Sequence, residues 1–343
     1  MQKKSHYHVA VVGATGAVGE QIIQLLEERP IPLEKLTLLA SGRSAGKKVR
    51  FRGAELTIEE ASPEKFTGVD IALFSAGGSI SKRLAPEAVQ RGAVVIDNTS
   101  AYRMDPEVPL VVPEVNPEDI GQHQGIIANP NCSTIQMVVA LKPLYDAYGF
   151  QRLVVSTYQA VSGAGAKAIA ETMEQTAAVL EDKPVKKEIL PVSSLPVHHQ
   201  IAFNAIPQID VFHDNGFTNE EMKMVNETQK IMHDETIQTT VTCVRIPVTR
   251  GHSESIYVEL HQDYELADVR RLLQNSPGII VEDEPDKQIY PMAINSEGRN
   301  EVFVGRLRRD LFNPRGLNMW VVSDNLLKGA AWNAVQIAEH LIK

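Results

Sequence analysis

Cysteine is scarce: the 343 residues hold only Cys132 and Cys243. Two thiols cannot build a disulfide framework, so a stapled secreted scaffold is excluded and a reducing, cytoplasmic location is expected. Long apolar runs are missing too. No stretch reaches the roughly 20 residues of a transmembrane helix. The opening segment, Met1 to His8, leads straight into a strand without a signal peptide's apolar core. Positive charge is in deficit: 34 Lys and Arg face 43 Asp and Glu, a net charge of −9. Neither nucleic acid nor a membrane surface is therefore an expected partner. Repeats and low-complexity tracts are absent. The histidines form no HExxH and no paired Cys/His spacing, so no metal is expected. What remains is a chain that is 43% hydrophobic, long enough for two domains and a large core.

The first third alternates strand and helix. Val9 to Val12, Leu36 to Ala40, Ile71 to Phe74 and Val94 to Asp97 are short, largely apolar runs read as strands, with helices expected over Ala17–Arg29 and Ser81–Arg91. Strands apolar throughout argue for a parallel sheet covered on both faces, an α/β doubly wound, Rossmann-like domain. Beyond about Gly149 the pattern changes. Val241–Val248 alternates, with Val244, Ile246 and Val248 on one face and Cys243 and Arg245 on the other. Ser255–Leu260, Glu301–Leu307 and Leu317–Val322 read as further strands. An α+β domain with a mainly antiparallel sheet is expected there, helices on one side and the other face free for a pocket or a partner subunit. Glu181–His199 carries the weakest signal for regular structure, and Asn325–Ile342 reads as an amphipathic helix.

Gly13-Ala14-Thr15-Gly16-Ala17-Val18-Gly19 follows the first strand and opens the first helix. Glycines there permit a tight turn and let backbone N–H groups approach a pyrophosphate at the helix N-terminus. A bare strand-to-helix turn is the plainer reading, but strand, loop and helix stand in the order that dinucleotide binding requires. After the second strand, an NAD-preferring fold places a carboxylate for the ribose 2′-hydroxyl. Ser41-Gly42-Arg43-Ser44 instead offers hydroxyls beside an arginine, which suits the 2′-phosphate of NADP. Ser75-Ala76-Gly77 and Ser162-Gly163 lie in two further Gly-rich loops able to border a cofactor.

Asn129-Pro130-Asn131-Cys132-Ser133-Thr134 sets a thiol at an expected helix start. Unpaired N–H groups and the helix dipole favour a thiolate there, able to attack an acyl carbon; the alternative is a buried core cysteine. His252 lies just past a strand end, as a base for that thiol or as a packing histidine. Arg245 should emerge on the polar face of its strand, away from the core, as a carboxylate clamp or a surface ion pair. Glu220 and Lys223 share one helix face.

Together, Gly13–Gly19, Asn129–Thr134, Gln159-Ala160-Val161-Ser162-Gly163-Ala164-Gly165, Arg250-Gly251-His252-Ser253-Glu254 and Val321–Ala331 closely resemble aspartate-β-semialdehyde dehydrogenase, in the form found in Gram-positive bacteria. The likeness covers nearly the whole chain. It implies reductive dephosphorylation of L-β-aspartyl phosphate by NADPH, giving the semialdehyde and phosphate, in biosynthesis of lysine and diaminopimelate, threonine, methionine and isoleucine. By the same resemblance Cys132 is the nucleophile, His252 the acid/base and Gln159 the residue that orients the thioester. Arg245 would hold the substrate α-carboxylate and Glu220 its α-ammonium. Arg103, Asn131 and Lys223 would bind phosphate, with Ser162 and Gly163 near the nicotinamide and Asn325 on the cofactor. A homodimer, or a homotetramer by further association, is implied. The NADP-binding domain would span residues 1–131, joined by the C-terminal helix 325–343, and the catalytic and dimerisation domain residues 132–324. The rivals are N-acetylglutamyl-phosphate reductase, whose substrate lacks the ammonium that Glu220 would meet, and a non-catalytic NADP-binding sensor.

Overall fold

Apolar runs of four to six residues are too short for helices, and in this protein they form strands. The structure, a computed structural model, describes residues 3–343; Met1 and Gln2, the beginning of the expected leaderless start, lie outside the described residues. The chain divides into two units. One runs up to Asn131 and takes back Ala330–Lys343; the other is Cys132–Gly329.

The first unit holds β1 (Tyr7–Val12), α1 (Ala17–Glu28), β2 (Leu33–Ala40), the hairpin β3 (Lys48–Phe51) and β4 (Ala54–Thr57), β5 (Glu59–Glu60), β6 (Ile71–Phe74), α2 (Gly78–Gln90), β7 (Val94–Asp97) and β8 (Ile126–Ala128). Six strands form one parallel sheet, in the order β5-β2-β1-β6-β7-β8. The sheet grows in both directions from β1, so a topological switch point lies at that strand's carboxyl end. Every residue of β6 and β7 is buried, as coverage on both faces demands. Phe66 stacks on Phe74 with ring centres 5.8 Å apart, in a cluster with Val12, Leu39 and Val95. Each such side chain contributes roughly 1.5–3 kcal/mol by leaving water.

The second unit holds α3 (Cys132–Tyr148), β9 (Phe150–Gln159), α4 (Ala166–Leu180), α5 (Asn219–Met232), β10 (Gln238–Arg245), β11 (His252–Leu260), α6 (Leu266–Gln274), β12 (Ile279–Val281), α7 (Ala293–Ser296), β13 (Val302–Arg309) and β14 (Gly316–Ser323). Its sheet runs β10-β9-β11-β14-β13-β12. The three central pairings are antiparallel and the two edge pairings parallel. Helix α3 packs against β9, β11 and β14, and α5 against β10. Residues 181–218 contain no helix or strand beyond isolated bridges.

Two expectations are corrected here. Arg245 does not emerge toward solvent: Cys243 and Arg245 are buried, while Val244, Ile246 and Val248 are only half-buried. Alternation separates the two faces of a strand but does not say which one a helix covers, and α5 covers the face bearing the arginine. The expected helix Asn325–Ile342 is also divided. Asp324 is fully buried, and its Oδ1 accepts from the Leu326 and Leu327 N–H groups at 2.9 and 3.2 Å. The chain then makes a π-helical turn, Leu327–Ala331, before α8 (Trp332–Ile342) begins.

Candidate active site

In the first unit, β1 delivers the glycine loop directly to the switch point. Gly13 has φ +93°, and a Cβ there would stand 2.8 Å from the Ser75 carbonyl carbon. A Cβ on Gly19 would stand 2.1 Å from the Gly13 oxygen. No side chain fits at either position, so loop and helix start lie flush against neighbouring backbone. Beside them is a cavity of about 470 Å³, lined by Gly13, Thr15 and Gly16 from the loop, Ser41, Gly42 and Arg43 after β2, and Ser75 and Ala76 after β6. Ala14, Ala17, Val18 and Gly19 complete the loop without lining the cavity. Ser44 does not line it, but its Oγ accepts from the hydroxyl of Thr15, which does, at 3.4 Å; Gly77 is the N-cap of α2. Glycine backbone, hydroxyls and a cation around such a volume fit a phosphorylated dinucleotide.

Sequence reading missed Glu60, Ala61, Ile80 and Arg83, which also line this cavity. It took the end of β2 to lack a carboxylate, yet Glu60 Oε1 lies 3.0 Å from where a Gly42 Cβ would be. Glu60 arrives through the pairing of Ala40 with Glu60, after a hairpin that hides their proximity in the sequence. Deeper in this unit, Arg103 is buried, and its guanidinium donates to the carbonyls of Asn129 and Asn98 at 2.9 and 2.8 Å. Asn131 is buried as well.

In the second unit, α3 begins at Cys132 itself. Ile135 and Met137–Leu141 are entirely buried, and the helix is apolar nearly all round, as a central helix should be. The thiol's own Cβ is 2.8 Å from where a Gly329 Cβ would stand. The π-helical turn can therefore pass the cysteine only as glycine. Helix α5 starts with a capping box: Glu221 N–H donates to Thr218 Oγ1 at 3.3 Å, and Thr218 N–H to Glu221 Oε2 at 2.7 Å. Glu221 Oε1 also accepts from Cys243 N–H at 2.9 Å. With Glu221 committed to structure, its neighbour Glu220 faces the site. Glu220 accepts from Gln159 Nε2 at 3.3 Å and from Lys223 Nζ at 3.2 Å, and Lys223 also reaches Asp210 at 3.1 Å.

Arg245 closes this group from the end of β10. Its Nη1 donates to the Ala160 carbonyl at 2.6 Å, while Nε finds no acceptor. Burial holds the guanidinium below its usual range, countered by the nearby Glu220 and Cys132. A buried cation with an unfilled donor is a carboxylate receptor. His252 is the first residue of β11, not a loop residue as expected, and is entirely buried. Its carbonyl accepts from Gln136 Nε2 at 3.3 Å, a direct tie to α3. A Cβ on Gly163 would be 3.0 Å from Arg245 Nη1 and 3.4 Å from His252 Nε2. Ser162 and Asn325 are joined by Asn325 Nδ2 donating to Ser162 Oγ at 3.0 Å, and Asn325 Oδ1 accepts from Gly251 N–H at 2.9 Å. The structure thus gathers Cys132, Gln159, Ser162, Gly163, Glu220, Lys223, Arg245, His252 and Asn325 around one locus of this unit. Glu254 was not anticipated. It shares the inward face of β11 with His252 and is fully buried, with the Gln136 side chain beside its carboxyl. Burial pushes its carboxyl well above the usual range.

A dinucleotide cavity in one unit and a buried polar cluster beside a helix-start thiol in the other define the class: a dinucleotide-dependent oxidoreductase. Residues 8–123 match the semialdehyde dehydrogenase NAD binding domain, and residues 141–328 the semialdehyde dehydrogenase dimerisation domain. The chain is 61% identical over 337 residues to the aspartate-semialdehyde dehydrogenase of Bacillus subtilis, covering 98% of this chain and 97% of that one. It is similar to the crystal structure of aspartate semialdehyde dehydrogenase II from Vibrio cholerae complexed with ASA. That likeness has a TM-score of 0.94 at 49% identity, over 99% of each chain. A Candida albicans aspartate semialdehyde dehydrogenase solved with NADP matches with a TM-score of 0.75 at 27% identity, over 98% of each chain. The chain belongs to the aspartate-semialdehyde dehydrogenase family. Among the described residues no helix is long and apolar enough to cross a membrane.

Proposed function

We propose that this enzyme reduces L-β-aspartyl phosphate to L-aspartate β-semialdehyde with NADPH, releasing phosphate, through a thioester on Cys132. The observation that carries the substrate assignment is the presence of buried Arg245 and buried Glu220 in one cluster. A buried cation with an open donor and a buried carboxylate 3.3 Å from Gln159 complement an α-carboxylate and an α-ammonium. Gln159 orients the acyl group, and Lys223 with Arg103 and Asn131 receives the phosphate. An acyl phosphate acylates readily, and the thioester divides one hard reduction into two easier steps. Backbone N–H groups at the start of α3 stabilise the oxyanion that forms on the acyl carbon.

The cofactor is held by Gly13–Gly19, Ser41–Ser44 and Ser75–Gly77, with Ser162, Gly163 and Asn325 toward its reactive end; when bound, it supplies a hydride. Ser41 and Arg43 favour the 2′-phosphate of NADP. Residues 1–131 with the C-terminal helix 325–343 form the NADP-binding domain, and residues 132–324 the catalytic and dimerisation domain. The open face of the second unit's sheet supports a homodimer, which can associate further into a tetramer. The location is cytoplasmic.

The test is a paired assay of the semialdehyde with NADP and with NAD, each with and without phosphate. Phosphate-dependent reduction of NADP is expected, and N-acetylglutamyl phosphate should support little NADPH oxidation in the reverse direction. Preference for the acetylated substrate would overturn the assignment, and cofactor binding without turnover would favour a sensor.

A further inference from the structure

Strand β10 lies at one edge of the second unit's sheet and pairs along its length only with β9. An edge strand leaves every second N–H without a sheet partner, and a buried one must find an acceptor elsewhere. The Arg245 N–H donates to the Ile206 carbonyl at 2.8 Å, in an isolated bridge. The Cys243 N–H meets a side chain instead, donating to Glu221 Oε1 at 2.9 Å. The other oxygen of that carboxylate, Oε2, accepts from the Thr218 N–H at 2.7 Å. One carboxylate therefore closes the first turn of α5 and stands in for the missing strand beside β10. Thr218 and Cys243 are fully buried and Glu221 nearly so, and a charged acceptor makes both bonds stronger than neutral ones. A capping box needs only the Thr218 bonds; the bond to Cys243 crosses from helix to sheet. Next to these bonds stand the two substrate receptors. Glu220 directly precedes Glu221, and Arg245 follows Cys243 by two residues on the same buried face of β10.

We propose that Glu221 is a positioning residue for substrate recognition. By bridging the Thr218 and Cys243 N–H groups, its carboxylate fixes the spacing between Glu220 on α5 and Arg245 on β10. This assignment rests on the reaction proposed above and names what holds its two receptors in register. Both oxygens of Glu221 are engaged by backbone, so it acts through its neighbours and not on the substrate. An α-amino acid carries its ammonium and carboxylate on one carbon, so receptors on two different elements must converge on one point. A slip of about 1 Å between helix and strand spoils that convergence. Glutamine at position 221 offers one acceptor and one donor, and can serve only one of the two N–H groups. Alanine serves neither. Thr218→Ala removes the Oγ1 acceptor but leaves both carboxylate bonds, which separates loss of the cap from loss of the bridge.

The test compares Glu221→Gln, Glu221→Ala and Thr218→Ala by steady-state kinetics, NADP titration calorimetry and thermal melting. All three should melt below wild type, since each loses a helix-start bond. Only the Glu221 variants should raise KM for the semialdehyde, at least about threefold for glutamine and about tenfold for alanine, with kcat within about fivefold. Their Kd for NADP should stay within about twofold of wild type, as should KM in Thr218→Ala. If Glu221→Ala does not fold, Glu221→Gln carries the reading. An unchanged KM in Glu221→Gln, or an equal rise in Thr218→Ala, overturns the proposal. So does a parallel loss of NADP affinity, which marks general loosening of the fold. Hydrogen exchange at the Cys243 amide reads the bridge without substrate: it should quicken at least about tenfold in Glu221→Gln and stay unchanged in Thr218→Ala. The reverse order overturns the bridge. Wild-type enzyme that fails to turn over the semialdehyde would sink the reaction assignment instead.

Discussion

Cys132 and Cys243 are the same chemical group in opposite settings. Cys132 is half-buried at a helix start. Cys243 is enclosed, 3.8 Å from the Met224 sulfur, and its thiol pKa is pushed far up by burial, with Glu220 adding to the effect. Only the first can supply a thiolate. Cys132→Ala should lower kcat by on the order of 10⁴-fold or more, with no acyl-enzyme trapped by rapid quench. Cys243→Ala should keep most of the activity at a cost of about 1 kcal/mol in stability. Near wild-type turnover in the first variant would end the covalent scheme. Glu254 poses a different question, because the folded protein keeps a proton that the unfolded chain sheds above pH 4.5. The stability tied to that proton is complete below pH 4.5. It falls by about 1.4 kcal/mol per unit as pH rises toward the folded-state pKa. His252 runs the other way: its folded pKa is depressed, so its contribution is complete above pH 6.5 and is lost as pH falls toward about 3. Glu254→Gln keeps the shape without the titration. Its urea midpoint should gain on wild type between about pH 6 and about pH 8; a constant gap would mean that Glu254 is ionised in the fold.

At the level of elements, the Gly163 loop separates function from stability. Its backbone φ lies outside the glycine-favouring region, so alanine is conformationally acceptable, but the new methyl would press on Arg245 Nη1 and His252 Nε2. Gly163→Ala should lower kcat/KM by about 10²-fold while leaving the far-UV circular dichroism and melting temperature nearly unchanged. Full activity would remove this loop from the site. Local elements were legible in the sequence where chemistry is local. The strand–glycine–helix order at residues 9–19 and the polar entry of Cys132 into an apolar helix are both written in consecutive residues. Arg245 was legible as a residue of interest, but its burial was not, because coverage by α5 is a tertiary fact. Glu60 was missed because its place beside Gly42 depends on strand pairing across a hairpin. Glu254 was missed for a subtler reason: a carboxylate on an alternating strand ordinarily faces water. The Thr218–Glu221 capping box, by contrast, was present in the sequence and would have assigned Glu221 to the helix start, leaving Glu220 for the site.

For the whole molecule, the second unit's sheet has one face under helices and one left open. Val154, Ser156, Tyr158 and Val244 on adjacent strands are half-buried or exposed on that open face, where Tyr158 and Trp320 pack with ring centres 5.5 Å apart. Apolar and aromatic side chains on an uncovered sheet suit burial against a second copy. A two-fold interface repeats each substitution, so Val154→Glu should weaken the dimer at least tenfold, about 1.4 kcal/mol or more. Sedimentation equilibrium would show the shift toward monomer, and an unchanged mass would exclude this face. The return of the chain to its first unit carries a consequence for synthesis. Helix α8 buries Asn333, Ala334, Val335, Ile337 and Ala338, and Glu339 pairs with Arg29 at 2.6 Å while that arginine lies 4.7 Å over the Trp332 ring. On the ribosome the first unit is made first yet closed last. The nascent chain must hold an unfinished nucleotide-binding sheet, with the α1 side that α8 covers still bare, until the whole second unit and then α8 have been made.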